Sequence, residues 1–202
     1  MTFDHLLAAG LLAVAVSNPG GDAARAHALV QNNAVSVSAS VAAAATPSVP
    51  TAGSSAPDFT YQSSEHLWQN LHNVLEQGAV LLVFGASDAN LRAIERERET
   101  LLERGILPMV VVERRDTDVW GVVRRLELTY SLLADPHGAI GEQYGVLDPA
   151  SKRSHASWFA IDRAGRVCAH GEGELPISGW TSLAVQALGL PADGAIRSAS
   201  SH

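Results

Sequence analysis

The sequence predicts an α/β fold, a central mixed β-sheet flanked by helices, and three observations carry that prediction. Residues 80–84 (VLLVF) are a continuous apolar run between Gly78 and Gly85, the pattern of a short strand buried on both faces. An amphipathic, charge-laced stretch follows and closes at Gly105, after which Ile106–Val112 (ILPMVVV) is a second apolar run. Strand, helix and strand in that order imply a parallel pair with a right-handed crossover. Residues 157–161 and 166–170 are then separated by Asp162, Arg163, Ala164 and Gly165, a hairpin sequence with glycine where a positive φ is required. A parallel unit and an antiparallel hairpin in one chain make the sheet mixed.

The elements follow in order. Residues 1–55 hold only Asp4, Asp22 and Arg25 as charged side chains, and residues 34–56 are nearly uncharged and closed by Pro47, Pro50 and Gly53. So few large side chains cannot offset the entropy of ordering, so this is read as a flexible N-terminal extension, with the folded domain starting near Ala56. Ser64 caps a helix over 65–77, where Leu67, Leu71, Val74 and Leu75 recur at helical spacing and Gly78 stops it. After the first strand, the second helix turns Leu91, Ile94, Leu101 and Leu102 inward. Its outer face carries opposite charges three and four apart, such as Glu95 with Arg98, as a solvated face does. A third helix runs over 119–128, a short strand over 131–135 ends in the turn residues Asp135, Pro136, His137 and Gly138, and a brief helix spans 139–144. After the hairpin, a helix over 178–188 is ended by Gly189 and Pro191, leaving 191–202 as a tail. The domain is 56–190. Trp68, Trp120, Trp158 and Trp180 fall on these elements and are expected in or against the core.

Composition narrows the function. With 14 Lys and Arg against 21 Asp and Glu, a net charge of -7 and Lys152 as the single lysine, a basic face for nucleic acid or an anionic membrane is not expected. No run of 18 apolar residues is present, which argues against a conventional transmembrane helix. Residues 6–16 (LLAAGLLAVAV) have the length of a signal core, but MTFDH before them lacks positive charge; the expected location is cytoplasmic, with export through an atypical N-terminal signal as the alternative. Cys168 is the only cysteine, so any thiol chemistry has one sulfur available.

Five short words line up along the chain: Ala56-Pro57-Asp58-Phe59; residues 80–84; Leu132-Leu133-Ala134-Asp135-Pro136-His137-Gly138; Tyr144-Gly145-Val146; and Phe159-Ala160-Ile161-Asp162-Arg163-Ala164-Gly165. Together, over about 56–190, they resemble the thioredoxin-like fold in its peroxiredoxin version, the redoxin or alkyl hydroperoxide reductase/thiol-specific antioxidant (AhpC/TSA) family. The resemblance implies an antioxidant oxidoreductase in which a cysteine in the first turn of the helix after the first buried strand attacks peroxide as a thiolate. It also implies a homodimer.

Here that turn reads Gly85, Ala86, Ser87, Asp88, Ala89, Asn90, Leu91. The family cysteine aligns at or near Leu91, and the family threonine or serine, or the first cysteine of a two-cysteine motif, at or near Asp88. Asp88 suits a helix N-cap, and its charge disfavours a nearby thiolate. Three residues before Phe159, where peroxiredoxins have an arginine and thioredoxins a cis-proline, stands Ala156, with Arg153 and His155 in the adjoining loop as possible substitutes. The expectation is a peroxiredoxin-like domain without the peroxidatic cysteine, acting as a non-catalytic binding or regulatory protein toward a protein partner that the sequence does not identify. The alternative is a thiol-dependent peroxidase or reductase using Cys168, with His170 two residues on lowering its pKa; an inert buried thiol is the plainer reading of the same residue. Residues Ser87, Asp135 and His170 follow the order of a hydrolase triad, but too few strands precede the turn for that fold. The eight histidines show no metal-ligand spacing and no phosphate-binding glycine loop is present, so no metal or cofactor is expected.

Overall fold

The computed structural model describes residues 48–62 and 68–192. Strands β1 (Thr60–Gln62) and β2 (Trp68–Asn70) form a small antiparallel pair, followed by helix α1 (Leu71–Leu75). Then come β3 (Ala79–Phe84), α2 (Asp88–Glu103), β4 (Ile106–Val112), α3 (Asp116–Leu126), β5 (Ser131–Ala134) and α4 (Ala139–Gln143). The pair β6 (Leu147–Asp148) and β7 (Arg153–Ser154), the hairpin β8 (Ser157–Ile161) and β9 (Val167–Glu172), and α5 (Trp180–Ala187) complete the order. The main sheet runs β5-β4-β3-β8-β9, with β3, β4 and β5 parallel and β8 and β9 antiparallel to their neighbours. It is the mixed sheet expected, with β3 at its centre.

Strand β3 explains why its residues are apolar without alternation. Successive side chains point to opposite faces, and both faces are covered. Val80, Leu82 and Phe84 join one core with Phe59, Tyr144 and Phe159; Leu81 and Val83 join a second with Leu91, Ile94 and Trp180. Rings of the first core pack at centroid distances of 5.4 Å for Phe84 with Tyr144, 5.9 Å for Phe84 with Phe159 and 5.0 Å for Tyr144 with Phe159. Phe59 meets Tyr144 at 6.2 Å, and the Tyr144 hydroxyl donates to the Pro57 carbonyl. Four of the five recurring words thus meet in one aromatic cluster.

Several local expectations change. Residues 68–70 are strand rather than helix because they pair with 60–62, and the side chain of Asn70 caps the shorter helix that remains by accepting from Asn73 N. Ser64 lies outside the described residues, as do 1–47 and 193–202. Trp68 is 72% exposed, not in the core, while Trp180 is completely buried. Packing also starts before Ala56: Pro50 is buried, Val49 packs on the aromatic core, and residues 53–55 run along β9. There Gly53 N donates to Val167 O, Val167 N donates to Ser54 O, and Ser55 bridges Arg166.

Helix α5 shares a core with α2, and one carboxylate of α2 holds its N-terminus. Glu97 accepts from Gly179 N at 2.6 Å and Thr181 N at 2.9 Å, at the N-terminus of α5. Burial works to raise this carboxyl, but the backbone donors of Thr181 and Gly179 outweigh it and hold it below its ordinary value. The sign follows: a depressed acid gives stability that is present above the unfolded value and lost as pH falls through the folded one. Acid denaturation of the wild type below about pH 4.5 is therefore expected to carry a Glu97 contribution, and Glu97→Gln should flatten the stability-versus-pH curve there. Urea titrations at a series of pH values read this out.

Candidate functional site

The turn at the carboxyl end of β3 is built by backbone conformation and capping. Gly85 has φ +63, and a Cβ there would lie 2.9 Å from Cα and N of Ala156 and 2.9 Å from the Ser154 carbonyl oxygen. Only glycine lets the two segments approach so closely. Ser87, not Asp88, is the N-cap of α2: its hydroxyl accepts from Asn90 N, while the Asn90 side chain takes the Ser87 backbone N–H, a reciprocal capping box. The shorter hydroxyl fits the cap, and Asp88 enters the first helical turn, where its carboxylate accepts from Arg125 Nη1 of α3 at 2.6 Å. The Arg125 hydrogen bond holds the Asp88 carboxyl below its ordinary value, so an ion pair stands fixed beside the helix N-terminus.

Leu91 is only 2% exposed and packs in the core with Ile94 and Trp180. Its carbonyl accepts from the Tyr130 hydroxyl at 3.1 Å. Asn90, which sequence reasoning did not single out, is also buried and donates through Nδ2 to the carbonyls of Leu175 and Pro176, tying the loop before α5 to the turn. An asparagine three residues after a serine was its available signal. Arg153 and His155 are exposed, and neither makes a side-chain hydrogen bond or ion pair with the turn. Ser154 is held instead by Glu113, whose Oε1 accepts from Ser154 N at 3.0 Å.

Cys168 and His170 are on β9, apart from this turn. The β8–β9 register passes from Ala160↔Ala169 to Ile161↔Val167, which makes Cys168 the extra residue of a β-bulge. His170 stacks on Phe159 at 5.7 Å. Burial, then the Asp162 charge, push the Cys168 thiol above its ordinary value, and its Sγ leans on the Arg166 carbonyl. This is the reverse of the activation expected from His170. The residues in hydrolase order have other roles as well: Ser87 caps α2, Asp135 accepts three backbone N–H groups at the start of α4, and His170 stacks. Among the described residues, no group of three or more His, Cys, Asp or Glu is placed to hold a metal ion, and no helix is long and apolar enough to cross a membrane.

The family model of the AhpC/TSA family matches residues 52–170. Among solved structures, that of peroxidoxin BcpB from Mycobacterium tuberculosis is similar with a TM-score of 0.61 at 18% identity, covering 69% of this chain and 96% of that one. AhpC from Enterococcus faecalis gives 0.56 at 17%, covering 70% and 92%. The reduced 2-Cys peroxiredoxin of Plasmodium vivax gives 0.57 at 17%, covering 67% and 79%. No curated protein matches the sequence. At these identities the structural likeness is one of fold.

Proposed function

Because this chain belongs to the AhpC/TSA family, we propose that it is a member without thiol-peroxidase chemistry, acting as a non-catalytic binding or regulatory protein. One observation carries the reading: the position at which the family's resemblance puts the reactive sulfur holds Leu91, packed into the core. Two others support it. The approach of Gly85 to Ala156 leaves no room for a side chain at position 85, and Asp88 takes up Arg125, the guanidinium beside the turn, so that it is not left for an anionic sulfur. The one cysteine lies elsewhere, on β9, with its thiol held in the protonated form. The same reading takes the protein as a homodimer working in the cytoplasm on a protein partner; sedimentation equilibrium giving the mass of one chain would remove the dimer.

The test is peroxide consumption by the full chain with a thiol reductant, beside Cys168→Ser. The expected result is consumption no faster than an ordinary free thiol gives, with little difference between the two proteins. Fast turnover abolished in Cys168→Ser would replace this reading with a thiol-dependent peroxidase working through Cys168. Fast turnover retained in that variant would exclude both. Alkylation of Cys168 against pH gives a second expectation: its rate should rise at higher pH than for a free cysteine, because the raised pKa leaves less thiolate at neutrality.

A further inference from the structure

We propose that a cavity at the β5 edge of the sheet binds a small aliphatic monocarboxylate, its chain against Leu102, Trp120 and Leu128 and its carboxylate on Arg98. This goes beyond the reading above and does not depend on it. None of the cavity's lining residues belongs to the turn at Gly85–Leu91 or to the 153–157 segment.

The cavity originates in the strand register. The first β4–β5 pair is Met109↔Ser131, so Ile106, Leu107 and Pro108 have no strand beside them on that edge. The step leaves a space of about 680 Å³, walled by β4, β5 and its approach, α2 and α3, with Tyr61 of β1, Gln69 of β2 and Val74 of α1 closing it on the other side. That volume is within the roughly 300–1,000 Å³ of small-molecule sites. Leu102 and Trp120, two of the large apolar side chains left exposed, both line it. Leu102 stands four residues after Arg98 on α2, so the two share one helix face.

Charge selects the ligand. Among the described residues, Arg98 is the only charged one in the cavity wall, and its side chain is 25% exposed. Its Nε faces Glu95 Oε1 at 3.5 Å. Glu95 is itself held by Thr129, accepting from its N at 2.8 Å and its hydroxyl at 2.6 Å. Among the described residues, the two terminal guanidinium nitrogens have no hydrogen-bond partner. A largely buried fork with its outer prongs open matches a planar carboxylate. A single cation already neighboured by Glu95, among walls that mix apolar side chains with the uncharged polar groups of Gln69, Gln77 and Thr129, suits at most one negative charge and disfavours a dianion such as phosphate. Addition of a peptide strand is disfavoured too, because Pro108 on the open stretch of β4 has no N–H for a ladder.

The experiment is calorimetric titration of the full chain with decanoate, 1-decanol and the tripeptide Ala-Val-Leu bearing a free carboxylate. Saturable one-site binding of decanoate is expected, at least tenfold tighter than that of decanol. Arg98→Gln should weaken decanoate tenfold or more while leaving decanol unchanged. Leu102→Glu, on an exposed helix position where a charge does not threaten folding, should weaken both. Circular dichroism confirms that each variant is folded. No saturable decanoate binding, equal binding to Arg98→Gln or Leu102→Glu, equal binding of decanol, or tighter binding of the tripeptide would each overturn the proposal. The peroxide assay stands apart, so failure here leaves the proposed function untouched.

Discussion

Gly85→Val is expected to destabilise the protein severely. Two costs add at this position: valine must adopt a positive φ, and its Cβ would meet backbone atoms of Ala156 and Ser154 that cannot rotate away. Left-handed strain in a β-branched residue and overpacking against fixed atoms together cost about 2–5 kcal/mol. Domain stabilities are commonly about 5–15 kcal/mol, so a large share would be lost. Gly105→Val separates the terms, because Gly105 has φ +69 but nothing within 4 Å of a Cβ, and it should show the strain alone. Urea unfolding midpoints at unchanged slope would measure both. Equal losses at the two glycines would mean that the Gly85–Ala156 contact contributes nothing.

The second large effect is expected at Asp135. Its carboxylate is buried and accepts from Ala139 N at 2.8 Å, Ile140 N at 2.9 Å and Gly141 N at 3.1 Å, so it serves the whole first turn of α4. Asp135→Ala strands these donors where water reaches them poorly, and a loss of roughly 2–4 kcal/mol follows from the cost of unmade buried hydrogen bonds. Asp135→Asn keeps one acceptor oxygen without the charge and should fall between wild type and alanine. Hydrogen exchange at the amides of 139–141 localises the effect: they should lose protection first. Unchanged protection in the alanine variant would show that the cap is dispensable.

Much of the fold was legible because burial on two faces leaves a plain mark. An unbroken apolar run as short as 80–84 fits a strand covered on both sides, and the words around Phe59, Phe84, Tyr144 and Phe159 are rings that meet in one cluster. In this chain these words supply packing, and they stand beside a turn that has no thiol. What failed was governed by distant partners. Helical spacing over 65–77 lost to pairing of 68–70 with 60–62, and Ser87 took the cap from Asp88 because Asn90 completes a box with the hydroxyl. Val49 and Pro50 looked like linker because nothing local tells that an aromatic core waits for them. The cavity beside β5 was out of reach altogether, since residues from several elements form it and a strand register creates it.

The run of residues 53–55 along β9 bears on solubility. An open sheet edge is a template on which a second chain can build, and natural sheets shield or bend such edges. Here the bulge at Cys168 bends one stretch of β9, and the segment ahead of Ala56 occupies the stretch at Val167. A chain trimmed to begin at Ala56 would strip that cover away. It is predicted to self-associate at concentrations where the full chain stays dispersed, with light scattering that rises steeply with protein concentration.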